Sequence, residues 1–280
     1  MSKPDLYYLL GAESPTAISF AQAYPELSFV FVSEELIISG QDLANVKCMH
    51  VSKVDHAHVF RQNNADFIPL TNLWYKRHCS HLGISSSVLD LSDTLTKIEE
   101  VLPGSTLPLR DYPDFSLAPK WILKGNREHK PNAIEYWQES NFMPNSDDSI
   151  KCQEWKSTAE NYVITGRVDG KGHCDMGIFG VHLEAFGKND QILAAETIEN
   201  PEFARKAIQL LDSLMYSGYF SINIVQSSNS FFITSFRPYS KGLIHSLIKS
   251  GVDILDQKKT GQIAKSGIKM IVDICYTEYI

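Results

Sequence analysis

The sequence predicts a chain of mixed class, with an α/β lobe at the N-terminus and a longer α+β region after it. Three observations carry that expectation. An apolar run, a glycine turn, a helical stretch and a second apolar run open the chain in βαβ order. Residues 160–197 then alternate in three runs separated by glycine-bearing turns, a pattern of antiparallel strands. A helix, a strand, a short polar turn and another strand follow over 201–236.

A length of 280 residues suits two or three small lobes better than one core. The expected division is a βαβ lobe over 1–88 and a second region over 89–280, which contains a small lobe at about 112–157. A composition 43% hydrophobic and 21% charged is that of a globular protein. The formal net charge of −7 argues against nucleic acid or an anionic membrane as the main partner. Five scattered cysteines, odd in number and without a C-x-x-C pair, suit a reducing cytoplasm. The first residues have no apolar signal core, and no uncharged stretch approaches the ~20 residues that span a bilayer. A soluble cytoplasmic protein is expected.

In chain order, Leu6–Leu10 reads as a strand ending at Gly11. Ser14 can cap the next helix, and Pro15 suits its first position, where a missing N–H costs nothing. Residues 29–32 are the second strand, and 46–51 and 67–70 are weaker candidates separated by helical stretches. Asp90 to Asp93 open a helix that stops at Pro103-Gly104. The run 119–125 is a strand that carries Lys124 at its exit. Residues 131–140 read as a helix with proline at its start, 141–149 as a polar connector and 151–155 as a strand. Strands at 162–169, 176–186 and 191–197 precede a long amphipathic helix from Pro201. Strands at 219–225 and 231–236 close on Arg237-Pro238-Tyr239-Ser240-Lys241-Gly242.

This order resembles the ATP-grasp superfamily of carboxylate–amine and carboxylate–thiol ligases. There the final strand closes as Glu-x-Asn-Pro-Arg or Glu-x-Ala-Pro-Arg. The resemblance implies an ATP-grasp-like fold with an N-terminal pre-ATP-grasp lobe, and ATP as the cofactor. It implies that Lys124 meets the nucleotide phosphates from a rigid strand, and that Arg127 and Lys130 can clamp them from the loop that follows. Gln153, Glu154 and Trp155 match the hinge that meets the adenine edge, and Glu160 a carboxylate that accepts the ribose hydroxyls. Arg237 and Lys241 stand in the catalytic positions. The N-terminal lobe would help to bind a small carboxylate or amine substrate. Such a protein, if active, joins the two through an acyl-phosphate and releases ADP. Assembly with itself or with another chain is compatible with the resemblance.

The metal positions depart from the pattern. Lining Arg237 up with the family arginine puts Ile233 at the metal-holding glutamate, Ser235 at the asparagine and Asn223 at the acid of the preceding strand. Mg²⁺ prefers hard oxygen ligands, usually including carboxylates. No Asp or Glu occurs between Asp212 and Asp253, so no local realignment restores one. Mg²⁺ would need acids from elsewhere, such as Glu184 or Glu196. A pseudoenzyme that keeps the fold as a binding or regulatory subunit is therefore the alternative to a ligase. His56, His58, His78 and His81 lack a second ligand pair at metal-site spacing, and read as surface or interlobe histidines.

Overall fold

A computed structural model describes residues 6–12, 15–35, 42–52, 56–61, 65–82, 91–125, 136–139, 150–156, 160–169, 179–186, 192–198, 201–214, 216–227, 230–237, 241–251, 254–255 and 269–271. Strand β1 (Leu6–Leu10), helix α1 (Pro15–Ala23) and strand β2 (Ser28–Ser33) form the expected βαβ unit. Strands β3 (Val46–His50) and β4 (Asp66–Pro69) complete a parallel sheet of order β3-β2-β1-β4. Gly11 leaves β1 with φ +83°, and a Cβ there would meet Thr71 Cγ2 at 2.6 Å, so both backbone and space call for glycine. Between β3 and β4 the described helical piece is one 3₁₀ turn, Val59–Arg61, shorter than the stretch expected.

Alternation along β1 and β2 gives this sheet two apolar faces, as a parallel sheet requires. Tyr8, Leu10, Val30 and Val32 pack with Phe60 and with Trp74 of helix α2 (Asn72–Leu82). Tyr7, Leu9, Phe29 and Phe31 pack on α1. They also meet Leu247 and Ile248, which come from far along the chain.

Helix α3 (Leu91–Val101) leads into a small antiparallel sheet of β5 (Lys120–Gly125), β6 (Tyr136–Gln138) and β7 (Ile150–Glu154), in the order β6-β5-β7. The helix expected over 131–140 is corrected here, because Tyr136–Gln138 is a strand paired with β5. Tyr136 and Trp137 favour a pleated surface, and that preference overrides the helical reading taken from Pro131. Trp121, Cys152 and Ala118 form this lobe's own core.

The large sheet contains β8 (Glu160–Asp169), β9 (Phe179–Phe186), β10 (Ile192–Ile198), β11 (Ser217–Ser227), β12 (Ser230–Arg237) and the short β13 (Lys269–Ile271). Its order is β12-β11-β8-β9-β10-β13, antiparallel throughout. Helix α4 (Pro201–Ser213) covers one face with Ala207, Leu210 and Leu211, joined by Leu95 and Ile98 of α3. Helix α5 (Lys241–Lys249), not foreseen from sequence, carries Leu247 and Ile248 into the core of the first lobe. Ser19 Oγ and His245 Nδ1 are hydrogen-bonded at 2.6 Å across the α1–α5 seam. Nearby, the Tyr24 hydroxyl accepts from the Ile254 N–H at 2.8 Å. No described helix is long and apolar enough to cross a membrane.

Candidate functional site: a cleft between two sheets

Residues 105–110 lace the two antiparallel sheets together. The Ile233 N–H donates to Ser105 O at 2.6 Å, and Thr106 bridges Ile233, so this strap covers the outer edge of β12. Further on, Arg110 and Cys152 exchange two backbone hydrogen bonds at 2.9 and 2.8 Å, which ties the same segment to β7. Between the sheets so joined lies a cleft of about 280 Å³ of empty volume, counting its open mouth. Ile122, Gln153 and Glu154 line it from the small sheet, Trp155 and Lys156 from the connection, and Asn161, Val225 and Thr234 from the large sheet.

The strands place these groups by alternation. Ile122 pairs directly with Gln153, so both stand on one face of the small sheet. Gln153 is 1% exposed, and its Nε2 donates to Leu107 O at 2.6 Å. Its Oε1 is buried without a hydrogen-bond partner among the described residues. Glu154 accepts from Lys156 Nζ at 2.5 Å, a partly buried ion pair at the cleft wall. The Trp155 backbone N–H donates to Lys120 O at 3.1 Å, and the Lys120 ammonium lies 5.1 Å from the centre of the Trp155 ring.

On the large sheet the decisive feature is a β-bulge. Asn223 pairs with Ser235 while Ile224 pairs with Ile233, which leaves Thr234 as the extra residue of β12. Ile233 is buried in the α3–α4 core with Ile222, Ile224 and Phe236. Thr234 lines the cleft instead, and its hydroxyl donates to Asn223 O at 3.4 Å. The expectation that Ile233 occupies a metal position facing the nucleotide is corrected by this register. A bulge changes the parity of a strand, so the residue that the motif alignment selects points to the opposite face.

On the described cleft face of the large sheet no carboxylate makes good the loss, and Glu154 on the small sheet is paired with Lys156. Ladder register sets Ile233, Ile224, Tyr162, His182 and Glu196 in one row across the sheet. Glu196 therefore shares the core face, away from the cleft; the side chain of Glu184 lies outside the described residues. The described cleft-side groups at the motif are Asn223, Thr234 and Ser235, each 4% exposed and each neutral. Ser235 Oγ has no hydrogen-bond partner among the described residues. These donors do not fit Mg²⁺, which calls for anionic oxygens. Among the described residues no three His, Cys, Asp or Glu converge as metal ligands.

Of the expected site residues, the structure brings Gln153, Glu154 and Trp155 together on the cleft and does not bring Glu160 to it. Glu160 is exposed and accepts from the Tyr162 hydroxyl, on the sheet face opposite Asn161. Burial first, and then Glu160, push the Tyr162 phenol up to about 12. Lys124 stands two residues beyond Ile122, across from Lys151 of β7, and Arg237 pairs in register with Ser221. Lys241 is the first residue of α5. The side chains of Lys124, Arg237 and Lys241, and the whole of Arg127 and Lys130, lie outside the described residues. Ile122, Lys156, Asn161, Val225 and Thr234 were not read from sequence, and Asn161 fell outside the strand expected over 162–169.

The histidines belong to the first lobe. Glu34 accepts from His56 Nε2 at 2.7 Å and is ion-paired with Arg77, whose guanidinium lies over Trp74. Burial raises the Glu34 carboxyl, but the hydrogen bonds from Arg77 and His56 outweigh it and hold the group below its ordinary value. His78 and His81 stack on Phe60.

No family model matches the sequence, and no curated protein matches it. Solved structures do resemble the fold. A biotin carboxylase–β,γ-ATP complex from Campylobacter jejuni is 10% identical with a TM-score of 0.59, over 96% of this chain and 74% of that one. An L-amino acid ligase from Bacillus licheniformis is 10% identical with a TM-score of 0.62, over 89% and 71%. A protein from Archaeoglobus fulgidus assigned to the ATP-grasp superfamily is 11% identical with a TM-score of 0.61, over 94% and 90%. The chain has an ATP-grasp-like fold: a parallel sheet, a small antiparallel sheet and a large antiparallel sheet with a cleft between the last two.

Proposed function

We propose that this chain binds a nucleotide in the cleft between its small and large antiparallel sheets, and that it acts there as a binding or regulatory subunit without metal-dependent phosphoryl transfer. The observation that carries this reading is the neutral cleft face of β11 and β12. The Thr234 bulge turns Ile233 into the core, and Asn223, Thr234 and Ser235 offer no anionic oxygen to a divalent cation. Ile122, Val225 and Trp155 provide apolar wall, and a few polar groups are fixed among them by strands. The ATP complex of the Campylobacter biotin carboxylase supports the choice of ligand class. Lys124, Arg127, Lys130 and Arg237 are the cations assigned to the phosphates, and Gln153, Glu154 and Trp155 the residues assigned to the base.

Calorimetry with ATP and ADP, each with Mg²⁺ and with EDTA, tests this. Binding that is nearly unchanged by chelation is the expected result. A large loss of affinity with EDTA would contradict it.

A second reading, an ATP-dependent carboxylate–amine ligase, is favoured by Lys124 and Arg237, which the sequence resemblance matches to the family's phosphate and catalytic positions. A carboxylate oxygen would attack the terminal phosphorus of ATP as ADP leaves. An amine would then displace phosphate from the acyl-phosphate. Arg237, with Lys241 beside it in sequence, would stabilise charge on the transferring group, and Lys124 would face them. Release of ADP that depends on an added carboxylate and amine would establish this reading over the first.

A further inference from the structure

We infer that occupancy of the cleft is coupled to the docking of α5 on the first lobe, with Trp155 and Val163 as the side chains that both processes share. This inference rests on the nucleotide reading of the cleft and adds how the first lobe registers a bound ligand.

Trp155 faces two ways. It lines the cleft, and it also packs, half-buried, against the core of the first lobe. Its backbone is tied to Lys120 O, so the ring stands on a fixed base. Val163 repeats the arrangement on the large sheet. It lies two residues from cleft-lining Asn161, on the same face of β8, and pairs with Asn223. Yet Val163 is 1% exposed and belongs to the same core as Phe20, Phe31, Leu247 and Ile248. One apolar core thus reaches from the cleft wall to α1 and α5.

Hydrogen bonds close the other end of that core. Ser19 Oγ and His245 Nδ1 meet at 2.6 Å, and the Tyr24 hydroxyl accepts from the Ile254 and Leu255 N–H groups at 2.8 and 3.3 Å. All of these residues are buried, so the segment is either docked with its bonds made or lifted with them open to water. When α5 lifts, Leu247 and Ile248 leave the core, and Trp155 and Val163 lose their backing. A wall that yields gives a ligand fewer close contacts than a wall that is backed. The ligand therefore binds the docked state more tightly, and by linkage it holds α5 down by the same factor.

The test is amide hydrogen exchange on the full chain, with and without saturating ADP, after calorimetry has measured ADP binding. The Ile254 and Leu255 amides report the docking of α5, because Tyr24 is their acceptor. Their exchange is expected to slow about five- to fiftyfold with ADP, a usual size for coupling between sites. The Val51 amide, bonded to Ser33 O and packed on the opposite face of the parallel sheet, should slow about twofold at most. In Trp155→Ala the gain at Ile254 and Leu255 should shrink to about twofold or less, and a full gain there overturns the role of Trp155. If that variant does not fold or does not bind ADP, the unaltered chain decides alone. Equal slowing at Val51 would be plain stabilisation of the whole fold by ligand, and overturns the coupling. ADP binding with unchanged exchange at Ile254 and Leu255 also overturns it, and leaves the nucleotide cleft standing. Failure of ADP to bind overturns the nucleotide reading and this inference with it.

Discussion

The two faces of the β8–β11–β12 triplet share a backbone and differ in chemistry. On the helix side, Ile164, Phe220, Ile222, Ile224, Ile233 and Phe236 make a continuous apolar layer under α3 and α4. On the cleft side, Asn161, Thr165, Ser221, Asn223, Thr234 and Ser235 are buried polar residues, and none is ionisable. A sheet face that served phosphoryl transfer would be expected to concentrate charge where the phosphates lie. The described side chains of this one are neutral hydrogen-bonding groups, which can hold a ligand's polar edges and leave the charge of its phosphates to the cations assigned to them, such as Arg237 in register with Ser221. The difference is set at one residue. Without the bulge at Thr234, strict alternation would carry Ile233 to the same face as Ser235.

The sharpest way to break that comparison is to put one carboxylate on each face. Ile233→Glu places an acid in the α3–α4 core, where it must protonate or stay unpaired, and should cost about 3–5 kcal/mol of stability. Mg²⁺ should not rescue it, because no cleft oxygen shares its face. Thr234→Glu with Asn223→Asp places two acids on the cleft side. Its melting temperature should rise with Mg²⁺, since a ligand that binds only the folded state stabilises it. Rescue of Ile233→Glu by Mg²⁺, with no response from the pair on the other face, would mean that the bulge is misplaced.

That bulge is also where the sequence stops being legible. The βαβ opening could be read because glycine and proline have conformational requirements: Gly11 takes φ +83° and Pro15 begins α1. The antiparallel strands could be read from alternation and glycine turns, and the helix from Pro201 from its 3.6-residue period. Thr-Ser in the middle of β12 carries no comparable signal, because both fit a regular strand and a bulge alike. A motif aligned on Arg237 therefore counts back to the wrong face. The lock of Gln153 on Leu107 joins residues 46 positions apart in sequence, beyond any local pattern. The chemical class of the cleft, acid-free around the closing strands, was legible because it depends on composition alone and survives any register.

A smaller effect is expected at Arg237, whose position pairs with Ser221 in a row of the cleft-side ladder. If its guanidinium serves the ligand's anion, Arg237→Ala should lose about 1.5–3 kcal/mol of nucleotide affinity, the range for a hydrogen bond to a charged group. The melting temperature of the ligand-free protein should hardly move. Bracing against Glu196 would give the reverse pattern, lower stability with intact affinity. The register of the sheet argues against that, since Glu196 shares the row of Ile224. Measuring both quantities on one preparation separates the two roles.

The smallest and most discriminating contrast is between neighbours on β8. Asn161 lines the cleft, and Glu160 turns to the other face to accept from Tyr162. Asn161→Ala should therefore weaken nucleotide binding by about 0.5–1.5 kcal/mol, the net worth of a neutral hydrogen bond. Glu160→Gln should leave affinity unchanged, although its carboxylate is the residue that the family resemblance assigns to the ribose. A null result needs proof that the change is felt somewhere, and Tyr162 provides it. Its phenol is raised from 10.0 to about 12, by burial first and by Glu160 second. Removing the Glu160 charge should bring that value down, with burial still keeping it above 10.0. Ultraviolet titration of the phenol should detect the fall. A loss of nucleotide affinity in Glu160→Gln as large as that in Asn161→Ala would mean that the ligand reaches around the edge of β8, and the division between the two faces would not hold there.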